Sequence, residues 1–263
     1  ARMIFTWHNF EWFALASTAL WAAGAGVALL GNERRRTAIL LTALGTLVFA
    51  TFIAGFWIYM QRPPMRTMGE TRLWYSFFMA LSGLLTYIRW RYPWILSFST
   101  VVAAVFAIIN ILRPEIHDQT LMPALQSPWF IPHVTVHMFS YSVLGCAFIM
   151  ACAGLAKHRA DYLVATDKLV YTGLAFLTVG MLTGAIWAKA AWGRYWSWDP
   201  KETWAAVTWA GYLLYVHMRL FRRGAPRPLY WILIVAFMAL QMCWYGVNYL
   251  PAARQSVHLY SRS

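Results

Sequence analysis

Four tryptophans, Trp192, Trp196, Trp198 and Trp204, fall within thirteen residues, with Gly193 and Arg194 between the first two. An aromatic belt at a membrane surface accounts for one or two such rings, not for a packed cluster. Stacked aromatic faces suit a flat, apolar, polarizable ligand. A porphyrin is one, and a guanidinium such as Arg194 can meet its carboxylates. Two acids close the segment. Asp199, Pro200 and Glu202 stand at the N-cap, first and third positions of a helix, the spacing of a capping box with proline at its favoured site. They are therefore read as structural caps that start a helix and hold the loop in register.

Haem iron accepts neutral imidazole, and two rings can bind it from opposite faces. Of seven histidines, two stand out by position, His133 and His217. His133 follows Pro132 at the start of an apolar run, whereas His258 lies in the C-terminal tail, where a histidine alone says little. His217 lies deep in an apolar run, and an ionisable residue there is a functional candidate; the competing reading is a side chain reaching toward the level of Arg219. Eighteen residues separate His217 from Asp199, about 27 Å of helix, so one porphyrin cannot touch both and two sites are expected. His137, one turn from His133 on the same face, reads as a hydrogen-bonded helix residue. Whether it or His258 opposes His133 stays open. His8, His117 and His158 read as surface residues. No nucleophile, acid–base dyad or hydrolytic metal motif is present, so no catalytic residue is assigned. Cys146, Cys152 and Cys243 form no CxxC pair and read as small apolar side chains.

The elements that must position these residues follow from composition. The chain has 263 residues, 60% hydrophobic and only 12% charged, against about 25% charged in soluble domains. A helix needs about 20 apolar residues to cross a bilayer. Eight such runs are predicted, near 10–30, 37–60, 73–88, 94–112, 133–156, 169–189, 203–220 and 229–248, making an all-α integral membrane bundle with the tryptophan loop on its outer face. The first run is long enough to be a span rather than a cleaved signal. The net charge of +13 resides in short basic clusters between runs, at 34–36, 89–91, 157–168 and 219–227. That is the pattern of cytoplasmic membrane loops, not of a nucleic-acid surface. Segments 61–72, 113–132 and 190–202, and both termini, then lie outside. No internal repeat is visible, and residues 1–263 are expected to form a single polytopic domain.

The segment from Trp192 to Trp204 resembles the tryptophan-rich motif of the haem-handling proteins of cytochrome c biogenesis. Its continuation Asp199-Pro200-Lys201-Glu202-Thr203-Trp204 resembles the CcsA (ResC) branch, the system II cytochrome c synthases. Arg62-Pro63-Pro64 with Glu70 is similar to that family's first outer loop. Leu121 to Ser127, followed by Trp129 and His133, resembles the approach to an outer haem-ligand histidine. Tyr212 to His217 resembles the helix with a membrane-embedded histidine, and Gly246-Val247-Asn248 the approach to the terminal outer histidine, His258. The resemblance implies that haem b is bound as substrate by His133 and His258 around the platform of Trp192, Arg194, Trp196, Trp198 and Trp204. It further implies a lyase that attaches haem to CxxCH motifs of apocytochrome c. Haem would enter near His217, beside a CcsB/ResB-type membrane subunit. The implied location is a bacterial inner membrane or a thylakoid membrane, with the haem site on the periplasmic or lumenal side. The residues themselves leave three alternatives, one of them a transporter of another substrate, which eight spans permit but the tryptophan loop does not call for. A non-enzymatic haem carrier would bind identically without forming thioethers. A b-type electron-transfer subunit would place paired histidines on facing helices inside the membrane.

Overall fold

The computed structural model describes residues 4–118, 127–221 and 226–249. Among these the regular elements are helices: α1 Phe10–Leu29, α2 Arg35–Met60, α3 Met68–Trp90, α4 Pro93–Leu112, α5 Phe130–Ala156, α6 Tyr162–Trp192, α7 Pro200–Phe221 and α8 Pro226–Trp244. Each predicted apolar run corresponds to one helix. Six stretches, Trp7–Leu29, Asn32–Met60 and α4, α5, α6 and α8, are long and apolar enough to cross a membrane. Their outward faces carry unpaired aliphatic side chains such as Leu40, Ile58 and Leu182, each more than three-fifths exposed, as lipid-facing surfaces require.

α3 and α7 differ. At 23 and 22 residues they reach about 33–35 Å, enough to span. They are more polar, because α3 carries Glu70, Arg72 and Arg89 and α7 carries Lys201, Glu202, His217 and Arg219. Several of their side chains and backbone groups are hydrogen-bonded to neighbouring helices, which is how buried polar groups persist in an apolar medium. Ser76 donates to the Ala103 carbonyl at 2.7 Å, and Asn110 Nδ2 to the Gly69 carbonyl at 3.1 Å, joining α3 to α4. Trp209 Nε1 donates to Thr178 Oγ1 at 2.9 Å, and Tyr215 Oη to Asp167 at 2.7 Å, joining α7 to α6.

The helices fall into two compact units, α1–α4 and α5–α8. In unit 1, α1 packs on α2 and α4, and α3 on α4 and α2; in unit 2, α5 packs on α6 and α8, and α7 on α8 and α6. The neighbour order is thus the same in both. In each, the third helix opens on a cap in which a buried glutamate, Glu70 or Glu202, accepts from the backbone amide three residues before it. At α3, Thr67 Oγ1 accepts from Glu70 N at 3.1 Å and Glu70 Oε2 from Thr67 N at 3.3 Å. Arg62 clasps the same carboxylate through both terminal nitrogens, at 2.9 and 2.7 Å.

α6 is longer than its apolar run. It extends from Tyr162 to Trp192, past the charges Asp167, Lys168 and Lys189 that bound the run in sequence. Asp167 is paired with Arg219, and Lys189 Nζ donates to the Gly193 carbonyl at 2.8 Å, so the charges do not break the helix. Trp192 is therefore its last residue and not a loop residue. Gly193, with φ +77°, then ends it in the left-handed conformation that glycine adopts without strain.

Candidate functional site

The short segment between α6 and α7 is drawn onto the start of α7. Glu202 Oε2 accepts from the amides of Ser197 at 2.8 Å and Asp199 at 3.2 Å, and Asp199 Oδ1 accepts from Lys201 N at 2.9 Å. The bond from Asp199 N to Glu202 is the returning half of a capping box, the Asp199 carboxylate caps the second helical amide, and the Ser197 amide adds one more bond from the loop. Both carboxylates are buried, at 7% and 8% exposure. The loop so gathered turns Tyr195 and Trp198 outward and leaves Trp196 half-buried. Trp198 has φ +59°, a left-handed backbone that strains any residue but glycine. It stands 68% exposed with its ring edge-on to Trp196 at 5.7 Å. Trp192 instead meets Trp187, also edge-on, at 5.1 Å. Trp196 and Trp198 thus pair within the segment, while Trp192 pairs with Trp187 ahead of it. Trp204 is half-buried in the first turns of α7, and Arg194 is exposed.

Trp187, five residues before the end of α6, links Trp192 to His133. The Trp187 and His133 rings stack at 5.2 Å and 26°. His133 Nδ1 lies 2.9 Å from the Gly180 carbonyl. A carbonyl can only accept, so Nδ1 carries the proton and the lone pair falls on Nε2, the arrangement in which an imidazole ligates a metal. This contact needs α5 and α6 to lie close. Gly180 and Gly184, a G-x-x-x-G pair, provide it: a Cβ on Gly184 would stand 2.6 Å from His133 Cε1, and one on Gly180 would strike the His137 ring. His137 is buried beneath, its ring centroid 4.5 Å from that of His133 and stacked on Tyr141 at 5.4 Å. Two imidazoles on opposite faces of one iron need centroids about 6 Å apart, given metal–nitrogen bonds of about 2 Å. No porphyrin plane fits between His133 and His137.

His217 lies near the far end of α7 and is exposed, its ring against Phe221 at 4.6 Å. Its direction is set by its neighbours. Arg219 grips Asp167 of α6 with two bonds, and Tyr215 donates to the same carboxylate. His217 is two residues from each, about 200° around the helix, so it faces away from α6.

His258 and the segment 121–126 lie outside the described residues. Two residues escaped the sequence reading. Trp187 precedes the tryptophan segment and gives no sign of its contact with His133. His117, read as a surface residue, is half-buried; it stacks face to face on Trp7 at 3.7 Å and 5°, and its Nε2 is buried without a hydrogen-bond partner. The G-x-x-x-G pair is visible in the sequence and was the available signal for the close approach of α5 and α6. His8 and His158 are exposed.

The sequence profile of the family described as "Cytochrome C assembly protein" matches residues 11–253. The cytochrome c biogenesis protein CcsA of Cuscuta exaltata is 30% identical over 236 residues, covering 74% of this chain and 77% of its own. That of Panax ginseng is 29% identical over 274 residues, covering 83% of each. Among solved structures, a chain named cytochrome c haem lyase CcmF superposes with a TM-score of 0.66 at 19% identity. It is matched over 93% of this chain and 47% of its own length, and attests the fold alone. With the family profile spanning α1 to α8 and curated relatives aligned over most of their length, the chain belongs to the cytochrome c assembly family of integral membrane proteins and has a role in cytochrome c maturation.

Proposed function

We propose that this protein binds haem b at the α5–α7 end of unit 2 and presents it for attachment to the CxxCH motif of apocytochrome c. The observation that carries the reading is His133, whose Nδ1–H is fixed on the Gly180 carbonyl and whose ring is stacked on Trp187. Its Nε2 then serves as one axial ligand, and His258 as the other. Trp192, Trp196, Trp198 and Trp204 supply aromatic surface, and Arg194 meets the propionates. In attachment, each cysteine thiol adds across one haem vinyl group: sulfur bonds to one vinyl carbon and the thiol proton goes to the other, without an oxidant. The protein contributes position and orientation.

His217 belongs to a second place, where haem enters from the inner side. Its outward direction suits a ligand completed by another subunit of the CcsB/ResB type. The tryptophan loop then lies on the outer face of a bacterial inner membrane or a thylakoid membrane. The deciding measurement is haem per protein, with the visible spectrum, for wild type, His133→Ala and Trp198→Ala, together with thioether yield on an apocytochrome c. We expect both variants to insert and to lose most of their haem and product. Full haem content in His133→Ala overturns the reading. Normal haem with no thioether product in any form leaves a carrier.

A further inference from the structure

In unit 2 the proposed site draws on four places: the start of the first helix (His133), the end of the second (Trp187, Trp192), the loop and capping glutamate of the third (Trp196, Trp198, Glu202), and the segment following the fourth (His258). Unit 1 repeats the neighbour order. At its corresponding end lies a cavity of about 450 Å³, of the size that holds small ligands. Its walls come from the same four places. They are Trp7 and His8 ahead of α1, Phe56 and Tyr59 at the end of α2, Arg62 and Glu70 at the capped start of α3, and His117 in the turn after α4.

The chemistry is of the same kind. Trp7 and His117, stacked face to face at 3.7 Å and 5°, put a rigid pair of aromatic rings in the cavity lining. Phe56 and Trp7 meet edge-on at 5.0 Å, and Tyr59 stands 46% exposed. His8 is exposed at the cavity, so its imidazole can reach an occupant without rearrangement. His117 Nε2 is a buried polar atom with no protein partner, and such atoms in folded proteins ordinarily have one. Arg62, bound through two nitrogens to a carboxylate only 1% exposed, gives the rim a fixed polar edge.

We propose that this end of unit 1 is a second binding site for an iron tetrapyrrole, with His8 as the imidazole that reaches the iron and the Trp7–His117 pair as the wall on which the ring lies. The choice of ligand rests on the function proposed for unit 2; the site itself rests on the cavity and its residues.

The test is titration of the purified full chain with hemin, followed by absorption and electron paramagnetic resonance. The starting variant combines His133→Ala, His217→Ala and His258→Ala. To it are added, one at a time, His8→Ala, Tyr59→Glu and, as a control on an exposed histidine elsewhere, His158→Ala. His8 and Tyr59 are exposed, so their variants do not disturb the fold. We expect the triple variant to keep about one hemin with an imidazole-ligated spectrum. Affinity should fall at least tenfold with His8→Ala or Tyr59→Glu and stay unchanged with His158→Ala. No binding in the triple variant, binding that survives both unit 1 changes, or equal loss with His158→Ala overturns this site and leaves the function of unit 2 standing. If the triple variant binds as wild type does and His8→Ala abolishes all binding, the unit 2 reading fails and this one holds.

Discussion

At the scale of single residues, the site depends on side chains that are absent as much as on those present. Gly184 leaves the space that the His133 ring fills, so Gly184→Ala should push the ring from the Gly180 carbonyl. Loss of such an orienting contact costs roughly 10–100-fold in metal affinity. Hemin titration of Gly184→Ala should show that weakening with a shifted spectrum, and wild-type affinity would separate His133 from its support. His117 offers a second check. Burial holds its pKa below the ordinary 6.5, against the opposing pull of the Asn110 backbone, Asp118, Glu115 and Glu70. The folded ring stays neutral where the unfolded chain takes up a proton, so the unfolded state binds more protons. Stability of unit 1 should therefore fall as pH drops below about 6.5. Hydrogen exchange of the turn 114–117 should quicken from pH 7 to pH 5 in wild type and lose this dependence in His117→Gln. These two residues also mark what the sequence could express. The pairing of Asp199 with Glu202 is local and follows from spacing. The seating of His133 on Gly180, or of His117 on Trp7, joins residues 47 and 110 positions apart, and no local pattern encodes it.

At the scale of elements, the eight helices were legible because lipid demands a length and a composition that few other segments have. Their ends were less so. Charges near an end look like boundaries in sequence, yet Asp167 and Lys189 lie inside α6 because each has a partner. The same logic explains α3, whose run was read from residue 73 although the helix begins at Met68 under its capping box. The cap of α7 gives a graded prediction. Asp199→Ala should cost roughly 0.5–2 kcal/mol, whereas Asn caps about as well as Asp. Thermal unfolding in detergent should therefore rank wild type and Asp199→Asn together, above Asp199→Ala. If Asn is as damaging as Ala in haem content while the protein stays folded, the charge of Asp199 acts on the ligand and not only on the helix.

At the scale of the whole molecule, the sequence concealed a repetition. Units 1 and 2 share neighbour order and a capped, polar third helix, but not a visible residue pattern, since packing order needs only apolar length while the caps use different residues. The basic clusters assign sides, and thiol labelling of intact cells or thylakoids can check them. A cysteine at Ser197 should react from outside and one at Glu33 should not; the reverse would place the tryptophan loop on the wrong face.

The polarity of α3 and α7 also has a consequence for how the chain is made. A segment carrying several charges partitions poorly into lipid when the translocon offers it alone. α3 hydrogen-bonds to α4, and both polar helices pack on the apolar helix that follows. Each should therefore wait beside the translocon and enter as a hairpin with its successor. Chains truncated after residue 92 and fused to a glycosylation reporter should leave α3 largely uninserted, and chains extended through residue 118 should insert it. Ser76→Val with Asn110→Leu, which removes both α3–α4 hydrogen bonds, should delay that step in the extended chain. Biosynthesis would then proceed by pairs, the membrane accepting the polar helices only as their partners emerge from the ribosome.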